Sequence, residues 1–224
     1  MTRGSAVKTV LALVRHGQSE GNLVGVISGH TALPLTDLGH RQASLTALAL
    51  AREFEPTAVV TSDLVRARQT ALPIARECIA ELGIDERLRE RSLGSLDGLR
   101  FEEAATRDPD AWERLRANDP TACPAGAETV DGVYARVSQA IDDIVATHAG
   151  GRVVVVSHGI ALYHALCHII GLGNPARGLQ VFTLVDNCSI TRVSHRGHYW
   201  YLTTVNETHH LASLEGLVSA SPGS

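Results

Sequence analysis

Residues 15–22 read Arg15-His16-Gly17-Gln18-Ser19-Glu20-Gly21-Asn22 and bring a guanidinium, an imidazole, a hydroxyl and two amides into one short stretch. An apolar run, Val10 to Val14, precedes them and has the length of a buried strand. A strand that ends in Arg-His-Gly delivers two nitrogen-rich side chains to the carboxyl edge of a sheet, where open α/β proteins keep their sites. Gly17 permits a sharp turn and a close approach of ligand to backbone. Ser19 and Asn22 stand near a helix start, which suits an anion. The chemistry that fits is a phosphate pocket with a nucleophile in it.

A second histidine stands in a similar setting. Val153 to Val156 is a continuous β-branched run, as a buried parallel strand requires, and Ser157-His158-Gly159 follows it. Taken alone, Arg66 reads as a solvated surface residue, and Glu90, flanked by Arg89 and Arg91, as an ion-paired one. His164 and His168 have the i, i+4 spacing of a metal pair. No HExxH motif or third ligand accompanies them, which favours partly buried or surface histidines.

The elements that must position these residues alternate strand and helix. Val24 to Leu35 has no period and reads as a loop over the site; Thr36 or Asp37 caps a helix that runs to about residue 54. Ala58 to Thr61 is a short strand. Ser62 and Asp63 supply its capping step into a helix predicted to continue through Ile74, Cys78, Ile79 and Leu82 to about Gly83. Arg66 falls on the first turn of that helix, with Arg68 directed elsewhere. Phe101 to Leu115 has helical character with Trp112 and Leu115 as buried points, residues 119–129 form a Pro/Gly loop, and Val130 to Val145 is a patterned helix broken by Gly150-Gly151. Ile160 to Ile170 is the next helix. Val181 to Val185, Ser189 to Val193 and Trp200 to Val205 alternate as strands, with turns at Asn187 and at Arg196-Gly197. This pattern predicts a three-layer α/β/α sandwich with a mainly parallel central sheet.

The motifs in order resemble the histidine phosphatase superfamily, which includes the cofactor-dependent phosphoglycerate mutases. Leu13-Val14-Arg15-His16-Gly17-Gln18-Ser19 through Asn22 is similar to the family signature, and Leu35-Thr36 through Gln42-Ala43 to a second family segment. Ser62 to Ala71 matches Ser-x-Leu-x-Arg-Ala-x-Gln-Thr, and Leu88 to Gly98 matches Leu-x-Glu-x-x-x-Gly-x-x-Glu-Gly, except that Asp97 stands where glutamate is usual. Ser157-His158-Gly159 matches the second histidine motif, and Pro124 to Thr129 a segment common in the phosphatase branch. The resemblance implies that His16 is the nucleophile and carries a phosphohistidine, and that Glu90 is the proton donor. Arg15, Arg66 and His158 complete the catalytic set, and Arg66 suits a clamp because its planar fork can bond two phosphate oxygens. Gln18, Ser19, Asn22, Gly29 and Gly159 join Arg15 and Arg66 in phosphate and substrate binding. One domain spans residues 1–224, with a cap-like insertion at about 99–129 and a flexible tail at about 213–224.

Phosphoryl transfer needs positioning and charge stabilisation, which two arginines and His158 can supply without a metal or other cofactor. His16 attacks in line if its reacting nitrogen is unprotonated, while its other nitrogen donates to an acceptor such as a backbone carbonyl. Glu90 protonates the leaving oxygen and then takes a proton from water.

The bulk properties agree with this and exclude other classes. The chain has 224 residues, 44% hydrophobic and 20% charged, enough for a sizeable core. A net charge of −4 gives no global field for nucleic acid or anionic membranes. The four cysteines lack metal-type spacing and read as reduced thiols of a cytoplasmic protein. Residues 1–8 lack the apolar segment of a signal peptide, and no apolar run reaches the roughly 18 residues of a membrane span.

The expected partner is a small phosphomonoester. A phosphomonoester hydrolase is the leading reading, given the compact length and the 124–129 segment. A 2,3-bisphosphoglycerate-dependent phosphoglycerate mutase and an inactive phospho-ligand binding protein are the alternatives. The sequence leaves a homodimer open, through a sheet edge or the terminal strands.

Overall fold

The structure, a computed structural model, describes residues 7–177 and 185–214. Six strands form one sheet: β1 (Lys8–Arg15), β2 (Ala58–Thr61), β3 (Glu81–Ile84), β4 (Arg152–Ser157), β5 (Ile190–Arg196) and β6 (Tyr199–Glu207). Their order is β3-β2-β4-β1-β5-β6. The β3-β2, β2-β4 and β4-β1 pairings are parallel, whereas β5 and β6 join antiparallel beyond β1. The sheet is mainly parallel, as its continuous β-branched runs require.

Both faces are covered because consecutive residues of the central strands are apolar and point to opposite faces. Ala12, Val14, Val154 and Val156 face one side with Leu50, Ala67, Ala71 and Ile74, from helices α2 (Asp37–Glu53) and α3 (Val65–Glu77). Leu11, Leu13, Val153 and Val155 face the other with Val137, Ile141 and Leu166, from α6 (Val130–Thr147) and α7 (Gly159–Ile169). Each buried aliphatic side chain of this kind contributes about 1.5–3 kcal/mol by leaving water. A short α1 (Glu20–Val24) follows the first histidine, and α4 (Phe101–Arg107) and α5 (Pro109–Arg116) precede the 119–129 loop. Ile27, Leu96 and Ala104, with Phe101, Trp112 and Leu115 against them, make a small apolar cluster apart from the two sheet layers.

Several local expectations are corrected. The helix carrying Arg66 ends at Glu77, and Ile79 adopts a left-handed conformation (φ 52°) with its side chain in solvent. Glu81–Ile84 then forms the edge strand β3; the apolar residues read as a fourth helical turn fit a short strand equally well. Ser62 and Asp63 do not cap α3. Its N-cap is Leu64, without a side-chain bond, since the Ser62 hydroxyl meets His158 and Asp63 binds Arg89. The 101–115 stretch is two helices, because Asp108 leaves helical geometry (φ −147°) and caps α5 ahead of Pro109. Trp112 and Leu115 are half-buried rather than buried. In the predicted strand at 181–185, residues 181–184 lie outside the described residues, and Val185 is buried irregular chain. Ser213 and Leu214, assigned to the tail, belong to a 3₁₀ helix (His209–Leu214) in which Leu214 is buried; 215–224 lie outside the described residues. Among the described residues, no helix is long and apolar enough to cross a membrane.

Candidate active site

The parallel pairing of β1, β4 and β2 sets the site. Arg15 on β1 is in register with Ser157 on β4, and the N–H of His16 continues the ladder to the Ser157 carbonyl at 3.0 Å. Ser62, just past β2, donates its N–H to the Val156 carbonyl at 3.2 Å. Three strands therefore end together and release His16, His158 and Ser62 at one carboxyl edge. The two imidazoles lie 5.1 Å apart, centroid to centroid, and tilted by 56°.

His16 is buried, 4% exposed, and its two nitrogens have distinct partners. Nδ1 lies 2.7 Å from the Gly17 carbonyl, which can only accept, so Nδ1 carries the proton. Nε2 thereby presents a lone pair, and the Arg66 Nε–H donates to it at 3.3 Å. Burial, then Arg66 and then Arg15, holds the His16 pKa well below 6.5, keeping the ring neutral. Gly17 is required by packing: a Cβ there would stand 2.6 Å from the Gly39 carbonyl oxygen. The turn is held from outside as well, by Thr70 Oγ1 on the Gly17 N–H (3.0 Å), Gln42 Oε1 on the Gln18 N–H (2.8 Å) and Asn187 Nδ2 on the His16 carbonyl (2.9 Å).

Arg66 is fully buried on the first turn of α3. Its Nη2 donates to the Gly29 carbonyl at 2.8 Å and Nη1 to the Thr31 carbonyl at 3.1 Å, tying the 28–31 loop over the site. Gly29 has φ 38°, and a Cβ on it would sit 1.8 Å from Asp97 Oδ1, so this position requires glycine. Asp97, one methylene shorter than the usual glutamate, accepts from Ser92 Oγ (2.8 Å), Leu93 N (2.8 Å) and His30 N (3.3 Å) and braces the same loop. Arg15 donates from Nη1 to the Val185 carbonyl at 2.6 Å, while its buried Nε has no hydrogen-bond partner among the described residues. Burial lowers the pKa of both guanidiniums, against the opposing pull of Glu90.

Glu90 reaches the N-terminus of α7, where Oε2 accepts from Ile160 N and Oε1 from Ala161 N, both at 3.2 Å, and Oε1 also from Arg91 N at 2.9 Å. Gly159 separates Glu90 from Arg15: a Cβ there would lie 3.8 Å from Glu90 Oε2 and 3.9 Å from Arg15 Nε. The backbone of Glu90 is clamped too. Its carbonyl accepts from His30 Nε2 (2.7 Å) and Arg136 Nη2 (2.9 Å). Arg136 Nη1 also bonds the carbonyls of Arg87 and Arg89, both at 2.7 Å, and Glu128 holds the guanidinium at 2.8 and 2.9 Å. Ile160 and Arg91, which bond or adjoin Glu90, line a cavity of about 160 Å³ together with Leu115, Pro120, Tyr163 and His164.

Arg15, His16, Arg66, Glu90, His158, Gly29 and Gly159 thus converge. Ser19 does not offer a free donor as the sequence suggested, since its hydroxyl is engaged with the Asn22 side-chain oxygen. The two residues form a capping box for α1, with Ser19 Oγ donating to Asn22 Oδ1 at 3.0 Å and Ser19 Oγ accepting from Asn22 N at 3.3 Å. The Gln18 amide oxygen likewise accepts from Thr36 Oγ1 at 2.8 Å. His164 is buried and His168 pairs with Asp142 at 2.8 Å, so the two do not act as a pair. Sequence reasoning missed Ser62, His30, Glu128, Arg136 and Asn187. Two of them carried a signal, Glu128 inside the 124–129 segment and Ser62 at the head of the motif that contains Arg66.

The profile of the histidine phosphatase superfamily (branch 1) matches residues 11–208. The chain belongs to that superfamily. A metal-independent phosphoserine phosphatase of Arabidopsis thaliana is 34% identical over 208 residues, covering 92% of this chain and 84% of the relative. A probable phosphoglycerate mutase of Escherichia coli is 36% identical over 190 residues, 84% of this chain and 86% of the relative. Among solved structures, a mycobacterial glucosyl-3-phosphoglycerate phosphatase superposes with a TM-score of 0.78 at 29% identity, over 89% of this chain and 99% of that one. The α/β/α sandwich is the phosphoglycerate mutase-like fold of this superfamily.

Proposed function

We propose that this protein is a metal-independent phosphomonoesterase that works through a phosphohistidine on His16. One observation carries the reading: a buried edge holds two arginines and two neutral histidines, and two of its polar atoms, Arg15 Nε and His158 Nδ1, are buried without a partner among the described residues. A tetrahedral dianion satisfies both and adds negative charge beside two guanidiniums on which Glu90 acts first, then Asp186 on Arg15 and Asp97 on Arg66.

In this reading the phosphoryl group lies between His16, Arg15, Arg66 and His158. The lone pair of His16 Nε2 attacks phosphorus as the ester P–O bond breaks, and Glu90 gives its proton to the leaving alkoxide. Water then attacks the phosphohistidine, Glu90 takes its proton, and the N–P bond breaks to release phosphate and neutral His16. Arg66 turns its Nε–H from His16 to a phosphoryl oxygen, so the donor that covers the nucleophile in the free protein steadies the developing charge.

The substrate is a small phosphorylated metabolite, its alcohol held on the Glu90 side against the cap. The relatives' names include phosphoserine and glucosyl-3-phosphoglycerate phosphatases, which makes phosphorylated hydroxy acids the first panel to test. The identity to probable phosphoglycerate mutases supports a second reading, isomerisation of 3-phosphoglycerate. We read the enzyme as a cytoplasmic single-domain protein, with residues 99–129 as its cap and a sheet edge as the candidate homodimer contact. The deciding measurement is phosphate release from a phosphomonoester panel in EDTA, beside a mutase assay with 2,3-bisphosphoglycerate. Release that disappears in His16→Ala supports the phosphatase. Isomerisation without release assigns the mutase, and full activity in His16→Ala overturns both.

A further inference from the structure

We infer that Ser62 is a positioning residue that fixes His158 as its Nδ1–H tautomer, so that Nδ1 donates a hydrogen bond to the transferring phosphoryl group. Both the tautomer and the role of the donor rest on the function proposed above, in which a phosphoryl group meets Nδ1.

Ser62 and His158 are both fully buried, and Ser62 Oγ lies 2.7 Å from His158 Nε2. Among the described residues this is the only hydrogen bond of the Ser62 hydroxyl and the only one of the His158 ring. Two arrangements satisfy the distance. If Nε2 carried the proton, it would donate to Ser62 Oγ, the hydroxyl proton would have no acceptor, and a bare Nδ1 lone pair would face the pocket. If Ser62 donates instead, Nε2 accepts, every proton on this pair is used except that of Nδ1, and Nδ1–H points into the pocket as a donor. In the free protein each arrangement leaves one buried donor unmatched, the hydroxyl in the first and Nδ1–H in the second, at about 1–3 kcal/mol either way, so the acceptor brought by the ligand makes the choice. A phosphate ligand presents only acceptors here, so it completes the second arrangement and repels the first.

The backbone makes the hydroxyl a rigid reference. Ser62 N–H extends the β2-β4 ladder to Val156, and the Ser62 carbonyl accepts from Thr61 Oγ1 at 3.1 Å. His158 is anchored across the strand gap as the N-cap of α7, its carbonyl accepting from Leu162 N at 2.9 Å. The site thus uses its two imidazoles in opposite senses: His16 exposes a lone pair, and His158 exposes a proton. The ring of His158 is neutral, since burial and the neighbouring Arg66, His16 and Arg15 hold its pKa well below 6.5. Its tautomer alone therefore decides whether it attracts or repels the phosphoryl oxygens.

The test combines imidazole ¹⁵N NMR with steady-state kinetics on the full chain. The His158 resonances are assigned by their loss in His158→Gln, and orthovanadate serves as the phosphate probe. With vanadate bound, the expected results are a protonated Nδ1 and unprotonated Nε2 in the wild type, and appearance of the Nε2–H form in Ser62→Ala. That variant should lose about 10- to 100-fold in kcat, the usual effect of removing a partner that orients a working imidazole. Ser62→Thr, which keeps the hydroxyl, should restore both the tautomer and most of the rate. An Nε2–H tautomer in the vanadate-bound wild type overturns the inference, as does a Ser62→Ala variant that slows with its tautomer unchanged. If the wild type hydrolyses no phosphomonoester, the NMR arm and vanadate affinity still decide the tautomer, separating failure of this inference from failure of the proposed reaction.

Discussion

Arg66 holds His16 and the loop above it with one guanidinium: its Nε–H donates to His16 Nε2 at 3.3 Å while its two Nη groups bond the Gly29 and Thr31 carbonyls. A lysine carries the same charge but has no planar fork, and its ammonium cannot reach three fixed acceptors that diverge in this way. Arg66→Lys is expected to lower kcat/KM by about a hundredfold, the scale of losing a well-placed donor to transition-state charge. Kinetics on the best substrate of the panel check this, and a rate within threefold of wild type would remove Arg66 from the clamp.

Glu90→Gln separates proton transfer from architecture. Glutamine keeps one of the two oxygens, enough to accept from the Ala161 and Arg91 N–H groups while the Ile160 bond is lost, so most of the anchoring at the start of α7 remains. It cannot cycle a proton. The expected result is a fall of about 10²–10⁴-fold in kcat with orthovanadate affinity kept within about tenfold, read by inhibition or calorimetry.

Acid should destabilise the fold through histidines buried neutral. Burial and nearby arginines hold His164 at about 4, and His16 and His158 well below 6.5. Their pKa values in the folded chain lie below the unfolded value, so between the two the unfolded state binds more protons. The stability is fully present above pH 6.5 and is lost as pH falls below it. For His164 alone the loss by pH 5 is about 2 kcal/mol. Urea midpoints at pH 7.5, 6 and 5 should fall monotonically, and His164→Gln should flatten the slope.

Gly29→Ala should damage both fold and site. The added methyl meets Asp97 and the residue must hold a positive φ, together costing about 2–4 kcal/mol. The Gly29 carbonyl moves with it and loosens Arg66. A lowered melting temperature together with a reduced kcat/KM is expected; an unchanged melting temperature would show that the 28–31 loop moves freely away from Asp97.

The chemistry of the site was more legible in the sequence than its scaffolding. Arg15, His16 and His158 announce themselves because a strand of apolar residues stops abruptly in a charged or nucleophilic type, and the structure puts all three at one edge. Arg66 and Glu90 gain meaning only from the motifs around them, since each looks like a surface charge. Ser19 and Asn22 were read as anion donors because cap residues and anion ligands are the same residue types; only the coordinates show the two bonding each other. Arg136 had no signal at all, being an arginine on an amphipathic helix like many others, yet it ties three carbonyls of the segment that carries Glu90. The early end of α3 escaped notice for a related reason: Ile79 and Leu82 continue an apolar period that does not specify helix over edge strand.

The pairing of β1 with β4 also bears on how the protein comes to work. His16 follows the first described strand and His158 follows the fourth, and most of the chain lies between them. Contacts between such distant segments form slowly, because the intervening chain must be closed before it rewards the closure. During synthesis His16 emerges early and waits, unassembled, until residues past 157 arrive. A pocket built this way is a certificate of completion: a truncated or half-folded chain holds the first imidazole without the second one and the surroundings they share.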